Sequence, residues 1–150
     1  MLGLGNTLSG GIVPAASAVD LTNNYSVSFD GTDDWITMGD VTILDDSNTF
    51  TISTWFNVDT FPIGVNKIVF VSKDDAYELY MKMVAHENNN SSLYLRLNNG
   101  AVNTSDTLTL STDTWYHLAA VHTSDGTTIY LDGDAVGTGL GSQVTINDTS

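Results

Sequence analysis

Short apolar and aromatic runs that stop at Asp-Gly turns are the feature that most constrains the fold of this 150-residue chain. Such runs, followed by residues that tolerate a positive φ, are typical of antiparallel strands joined by tight turns. No segment has a sustained 3.6-residue apolar period, and the middle of the chain is rich in Thr, Val, Ile and Tyr. The sequence therefore predicts an all-β antiparallel sandwich. The turn signals are Asp30-Gly31, Asp125-Gly126, Asp132-Gly133 and Asn98-Asn99-Gly100.

Ten segments between these signals are predicted as strands. Trp35 and Trp115 adjoin turns, so both are predicted to anchor strand ends in the core. The predicted strands are Ser26–Phe29, Trp35–Met38, Phe50–Asn57, Lys67–Ser72, Tyr77–Val84, Leu93–Asn98, Thr107–Leu110, Tyr116–His122, Thr127–Leu131 and Asp134–Gly137.

Alternation assigns the two faces most clearly in the segments 77–83 and 93–97. Their odd positions are apolar and are predicted to face the core, because successive side chains of a strand point to opposite faces. If the two strands form a hairpin around 87–91, four even positions share one solvent face within cross-strand reach. The result is an aromatic and basic patch formed by Tyr80, Lys82, Tyr94 and Arg96.

Composition limits the classes of partner. With 41% hydrophobic residues and no Cys, the chain must rely on packing of one core rather than on disulfides. Eighteen acidic and four basic residues give a formal net charge of −14, which repels phosphate backbones. No apolar run reaches membrane-spanning length. We therefore expect no nucleic-acid partner and no membrane insertion.

The first twenty residues form a separate segment. Met1–Asp20 is rich in Gly and small residues, and it has no Lys or Arg to form the start of a secretory signal. Such a segment has little bulk to bury, so it is predicted to be a flexible arm that orders against a partner. The alternative is a terminus with no role. The predicted organisation is an arm at 1–20 and one sandwich domain at 21–150.

Four motifs together resemble the laminin G-like, concanavalin A-like family of jelly-roll sandwiches. They are Ser-Val-Ser-Phe-Asp-Gly-Thr-Asp-Asp-Trp-Ile at 26–36, Phe-Thr-Ile-Ser-Thr-Trp-Phe at 50–56, Trp-Tyr-His-Leu-Ala-Ala-Val-His at 115–122 and Ile-Tyr-Leu-Asp-Gly at 129–133. Relatives usually add closing strands after the last of these. In this chain either 141–146 fills that place, or the parent polypeptide is longer, or a neighbouring subunit supplies the pairing.

Catalysis is the first function that the resemblance raises. Related glucanases use a Glu-x-Asp-x-x-Glu strand, which places an acid and a nucleophile on one face. That motif is absent, and the only glutamates are Glu78 and Glu87. His117 and His122 are an odd number of residues apart, so they are predicted to point to opposite faces of their strand. A protein that is not an enzyme is expected.

The resemblance also implies a calcium site at the rim of the sandwich, because relatives hold Ca²⁺ there with loop carboxylates and backbone carbonyls. The alternative is that these loop aspartates only form turns. No other cofactor is expected. The candidate ligands are Asp33, Asp34, Asp45, Asp46, Asp74 and Asp75.

Two surfaces are candidates for sugar binding, because apolar sugar faces stack on aromatic rings while hydroxyl groups need directional partners. The first is the patch with Tyr80, Tyr94 and Arg96. The second is Trp55, which alternates with Thr51 and Ser53 away from the apolar positions of its strand. The alternative for both surfaces is that their aromatic residues only pack.

Two functions follow as hypotheses. The chain resembles virion components of tailed bacteriophages, so the first is a structural or attachment protein at the virion surface, in a capsid decoration or a tail fibre. It would contact other virion proteins or its own copies through the arm as a homo-oligomer. The second is a carbohydrate-binding or adhesion module of a secreted, extracellular bacterial protein, with a cell-surface glycan as its partner.

Overall fold

The computed structural model describes residues 25–61, 67–85, 90–98, 100–140 and 145–146. The chain divides into two compact units, residues 1–38 and 39–150. The predicted arm at Met1–Asp20 lies outside the described residues, so the predicted boundary between arm and sandwich stays a prediction.

The described part of the first unit, residues 25–38, contains no strand, so the predicted strands Ser26–Phe29 and Trp35–Met38 are wrong. Trp35 is 76% exposed instead of anchoring a strand end. Alternation supplies a face for packing, but a strand also needs a partner for its backbone groups. Local bonds form instead, because Asp30 Oδ1 accepts from the Thr32 amide at 2.8 Å and Asp34 Oδ2 accepts from the Asp30 amide at 2.9 Å.

The second unit is an antiparallel sandwich, which confirms the predicted fold class. A short 3₁₀ helix precedes the first strand, and none of the helical structure in the described residues is long or apolar enough to cross a membrane. In order, the elements are the 3₁₀ helix Thr42–Leu44, β1 Phe50–Phe56, β2 Lys67–Lys73, β3 Tyr77–Ala85, β4 Asn90–Leu97, β5 Ala101–Thr104, β6 Leu108–Thr109, β7 Tyr116–Thr123, β8 Gly126–Leu131 and β9 Asp134–Leu140.

The strands form two sheets. Sheet A has the order β1-β7-β8-β9, and sheet B has the order β2-β3-β4-β5 with β6 also paired to β4. Tight turns join neighbouring strands, as at Asp132 and Gly133 between β8 and β9, where φ is 51° and 90°. Two successive positive φ values match the right-handed twist of a hairpin, and Gly tolerates them without strain.

The core lies between the inner faces of the two sheets, and the predicted inward positions of β3 and β4 are confirmed. Leu79 and Leu95 are fully buried, and Phe56 of β1 is 7% exposed. Burial of one such side chain stabilises the fold by about 1.5–3 kcal/mol. The other apolar core residues are Phe50, Ile52, Val58, Phe61, Ala76, Tyr77, Met81, Met83, Leu93, Leu97, Leu110, Leu118, Ala120, Ile129 and Ile146.

Ile146 bears on the predicted closure of the sandwich. Its side chain is fully buried, its amide donates to Ser47 O at 3.0 Å, and its carbonyl accepts from the Asp46 amide at 2.9 Å. A residue of the segment 141–146 therefore pairs with the backbone just before β1. Residues 141–144 lie outside the described part of the chain.

Three further details differ from the sequence prediction. Strand β4 begins at Asn90, three residues early, because buried Ser91 pairs with Met83 and donates to its Sδ at 3.1 Å. Strand β5 was not predicted, and it forms because the turn after Leu97 returns the chain along β4. Trp115 is 48% exposed and is not a core anchor.

Candidate functional site

All four basic residues of the chain lie on sheet B. Lys67 and Lys73 belong to β2, Lys82 to β3 and Arg96 to β4. The pairing Lys67↔Lys82 and the alternation within the strands place three of the four on the outer side of the sheet. We name this surface the basic face; its members are Lys67, Val69, Ser72, Glu78, Tyr80, Lys82, Ser92, Tyr94 and Arg96.

Two tyrosine rings stack at the centre of the basic face. Tyr80 and Tyr94 are directly paired between β3 and β4, with ring centroids 4.9 Å apart and an interplanar angle of 6°. The Lys67 ammonium lies 5.2 Å from the centroid of the Tyr80 ring, coming from the neighbouring strand on the other side. Tyr80 therefore has Tyr94 on one side and the Lys67 ammonium on the other, and both tyrosines are half-buried.

Glu78 lies beside the stacked rings on the same face. Its carboxylate is bonded by the Lys67 ammonium, and its Oε2 lies 3.2 Å from Arg96 Nη2. The Glu78 side chain is only 10% exposed, so it is held between the two cations. Such charge-assisted bonds fix the position of both carboxylate oxygens. The second glutamate, Glu87, lies outside the described residues.

A polar pocket of about 110 Å³ opens next to Glu78 and Arg96, at the turn from β2 to β3. One of its walls is Lys73, whose ammonium bonds Asp45 Oδ1 at 2.9 Å and Asp40 Oδ1 at 2.8 Å. The pocket therefore offers donors and acceptors that are already fixed in position. Its lining residues are Ser72, Lys73, Asp74, Asp75, Tyr77, Glu78 and Arg96.

Two tyrosine hydroxyl groups of β3 have a raised pKa. Burial raises the pKa of Tyr77 above 10.0; the charge of Lys73 opposes this shift and that of Asp45 adds to it. Burial also raises the pKa of Tyr80, and the neighbouring Glu78 and Tyr94 raise it further, against the opposing effect of Arg96. Both phenols therefore stay protonated to a higher pH than an exposed tyrosine does.

Trp55 lies on the other side of the sandwich, on the outer face of sheet A. It is 59% exposed, and its ring centroid lies 5.0 Å from that of the directly paired His117, at an angle of 42°. The predicted outward direction of Trp55 is thus confirmed. His117 and His122 point to opposite faces, as their spacing predicted: His117 lies beside Trp55, and His122 is buried in the core.

The six predicted calcium ligands do not converge on one site. Asp33 and Asp34 lie with Asp30 in an exposed cluster whose carboxylate oxygens are within 4.8 Å of one another. Asp30 was missed by the sequence analysis, although its turn position three residues before Asp33 was a usable signal. A calcium ion takes six to eight oxygen ligands, which is more than three carboxylates alone supply when each binds through one oxygen.

The remaining predicted ligands have other surroundings. Asp45 is bonded by Lys73, and the Asp46 amide bonds Ile146. Asp74 and Asp75 line the same pocket as the cations Lys73 and Arg96. A positively charged side chain nearby repels a metal cation, so Asp45, Asp74 and Asp75 do not form a suitable calcium site. The calcium site stays a prediction.

Sequence reasoning identified Tyr80, Tyr94 and Arg96 as neighbours, and their shared face is confirmed. It missed the contribution of Lys67 and the central position of Glu78. A bulge between Val69 and Val71 changes the register of β2 against β3, and it sets which β2 side chains reach the outer face. The segment 67–73 carries no sequence signal for that bulge.

Comparison with known proteins gives one family. A family model described as the concanavalin A-like lectin/glucanases superfamily, of laminin G type, matches residues 30–150. No curated protein and no solved structure matched the chain.

Proposed function

Since this chain belongs to the concanavalin A-like lectin/glucanases superfamily, we propose that it is a non-catalytic carbohydrate-binding or adhesion module that binds glycans on its basic face. Membership of this superfamily is consistent with a carbohydrate-binding or adhesion role. The single observation that carries the choice of surface is the stacked, half-buried ring of Tyr94 next to the fixed Glu78–Arg96 pair.

The proposed contacts follow the two needs of a sugar. An apolar pyranose face packs on the ring of Tyr94, while hydroxyl groups exchange hydrogen bonds with Glu78 and Arg96. The adjoining pocket extends the same row of polar groups toward Asp74 and Asp75. Because Lys67 and Arg96 already hold the Glu78 carboxylate, little ordering is needed when the sugar binds.

The proposal excludes glycoside hydrolysis. Retaining and inverting hydrolases need two carboxyl groups on either side of the scissile bond. Glu78 is the only carboxylate among the described members of the basic face, and both of its oxygens are already bonded, one by Lys67 and one by Arg96. The sequence also lacks the Glu-x-Asp-x-x-Glu motif. Release of reducing sugar from β-glucans by the pure protein would overturn this part of the proposal.

A glycan array followed by calorimetry tests the site. We expect Tyr94→Ala to abolish binding of the array hits, and Tyr94→Phe to retain most of it because the ring is kept. The matched control is Trp55→Ala, which removes an exposed aromatic ring from the opposite surface of the same domain. Binding that is lost with Trp55→Ala and kept with Tyr94→Ala would move the site to sheet A.

Whether the module belongs to a virion or to a secreted protein needs a separate experiment. The virion structural or attachment role, with homo-oligomers formed through Met1–Asp20, stays a prediction, as does the secreted bacterial alternative. Light scattering of the full chain and of a variant lacking residues 1–20 separates assembly from binding alone. A stable monomer in both cases would contradict assembly through the arm.

A further inference from the structure

We infer that the glycan bound on the basic face is acidic, with carboxylate or sulfate groups that pair with Lys82. This inference rests on the proposed function and names the chemical class of its ligand.

The charge of the basic face is opposite to that of the chain. Among the described side chains of this surface there are three cations, Lys67, Lys82 and Arg96, and one carboxylate, Glu78. The chain as a whole has a formal net charge of −14. A surface with two excess positive charges is therefore a local exception, and it contains most of the basic residues that the sequence has.

Two of these cations are neighbours across the β2–β3 ladder, and only one of them has a described counter-charge. Lys67 and Lys82 are directly opposite each other in the β2–β3 ladder. Like charges at directly opposite positions destabilise a sheet. The sequence has eighteen acidic residues, yet on the described basic face only Glu78 compensates these charges. Lys67 directs its ammonium to Glu78, which leaves Lys82 as the member of this pair that an anionic ligand would compensate.

Lys82 is the cation that is available to such a ligand. Lys67 and Arg96 are both bonded to Glu78, whereas within the described ranges Lys82 has no ion pair. Lys82 is four residues from Glu78 on the same strand, so the two Cα atoms are about 13–14 Å apart at the usual rise of a strand. The two oxygens of the Glu78 carboxylate are bonded by Lys67 and Arg96, and Lys82 is not among the described ion-pair partners of Glu78.

The arrangement fits an oligosaccharide laid along β3 and β4. A sugar ring on Tyr94 lies between the Glu78–Arg96 pair on one side and Lys82 on the other, since Tyr80 is midway between Glu78 and Lys82. A neighbouring acidic sugar then presents its anion to Lys82. Recognition thus requires several linked sugars rather than one.

The negative charge of the rest of the chain does not prevent this binding. At physiological ionic strength the Debye length is about 8 Å, so acidic residues on other surfaces are largely screened at the basic face. Three cations are too few for a nucleic acid, whose binding depends on many phosphate contacts. A glycan with widely spaced anions matches the charge count better.

The test uses the full chain on an array of matched glycan pairs: uronic acids with the corresponding neutral hexoses, sialylated with desialylated glycans, and sulfated with unsulfated glycans. We expect the acidic member of each recognised pair to bind more tightly, and the array shows whether carboxylate or sulfate is preferred. Raising the salt concentration from about 0.05 to about 0.5 M, which shortens the Debye length severalfold, should weaken the acidic member only.

Lys82 is then varied and measured by calorimetry on the best acidic hit and its neutral partner. Lys82→Gln should weaken the acidic ligand by up to about fivefold, the effect of one exposed ion pair, and leave the neutral ligand unchanged. Lys82→Arg should restore the preference because it keeps the charge. An unchanged unfolding temperature of both variants shows that the effect is on binding.

The outcomes separate the two proposals. Hits that are only neutral glycans, or an acidic preference that survives Lys82→Gln, would overturn the inference and leave the proposed function standing. An array with no hit of either kind would overturn the proposed function and the inference with it.

Discussion

The Glu78 carboxylate lies 3.2 Å from the Arg96 guanidinium across a directly paired position of β3 and β4, and its side chain is 10% exposed. Lys67 bonds the same carboxylate from the other neighbouring strand. One acidic group thus links the three adjacent strands β2, β3 and β4 on the outer surface of sheet B.

Replacement of Glu78 with Gln is expected to destabilise the fold. Because Lys67 and Arg96 would lose their shared partner, we expect the free energy of unfolding to fall by about 1–2 kcal/mol. This loss is smaller than that for a fully buried ion pair, since the Lys67 side chain is 43% exposed. Urea denaturation measures the change. A double-mutant cycle with Arg96→Gln should give a coupling energy, and strictly additive effects would contradict the direct interaction.

A second prediction concerns the buried hydrogen bond between His122 and Thr127. His122 Nδ1 lies 2.8 Å from Thr127 Oγ1 in the core, and both residues are about 1% exposed. Thr127→Val keeps the shape and removes the hydroxyl group, so it should lower the free energy of unfolding by about 1–3 kcal/mol. The matched control is Thr128→Val on the opposite face of β8. Equal effects of the two variants would show that the hydrogen bond is unimportant.

The pair of Lys73 and Asp45 allows a test of whether Asp45 is an ion-pair partner or a metal ligand. Their side chains are 13% and 21% exposed, so we expect Asp45→Asn to lower the free energy of unfolding by about 1–2 kcal/mol. The loss should be the same with millimolar Ca²⁺ and with a chelator, because the carboxylate bonds an ammonium group. Thermal unfolding in both buffers measures it. A Ca²⁺-dependent stabilisation that disappears in Asp45→Asn would instead favour a metal at this aspartate.

Alkaline pH should destabilise the domain through Tyr77 and Tyr80. Folding raises the pKa of both phenols above 10.0, so the folded state binds their protons more tightly than the unfolded state. Their contribution to stability is therefore fully present below pH 10.0 and is lost as the pH rises through the folded pKa values. Ultraviolet titration follows the ionisation and urea denaturation follows the stability. Tyr80→Phe should make the alkaline loss smaller; an unchanged pH profile would contradict the assignment to Tyr80.

Particular residues show how far the sequence predicts the site. The period of two placed Leu79 and Leu95 in the core and Tyr80 and Tyr94 on the surface, because side chains of a strand alternate between its faces. The same reasoning failed for residues 25–38, where apolar alternation is present but no described strand pairs with the segment. It also failed for Trp115, because an aromatic residue next to a turn packs only if another element covers it.

The sequence by itself determined the fold class, most strand positions and the inward or outward direction of their side chains. These properties are local: they follow from alternation and from the positive φ that Asp and Gly tolerate at turns. The tertiary structure alone decided that Lys67 and Lys73 join Lys82 and Arg96 on one sheet, and that Lys67 and Arg96 share Glu78. Strand order and the bulge in β2 create those contacts, and both depend on pairing between distant segments, whose register is set by the whole core.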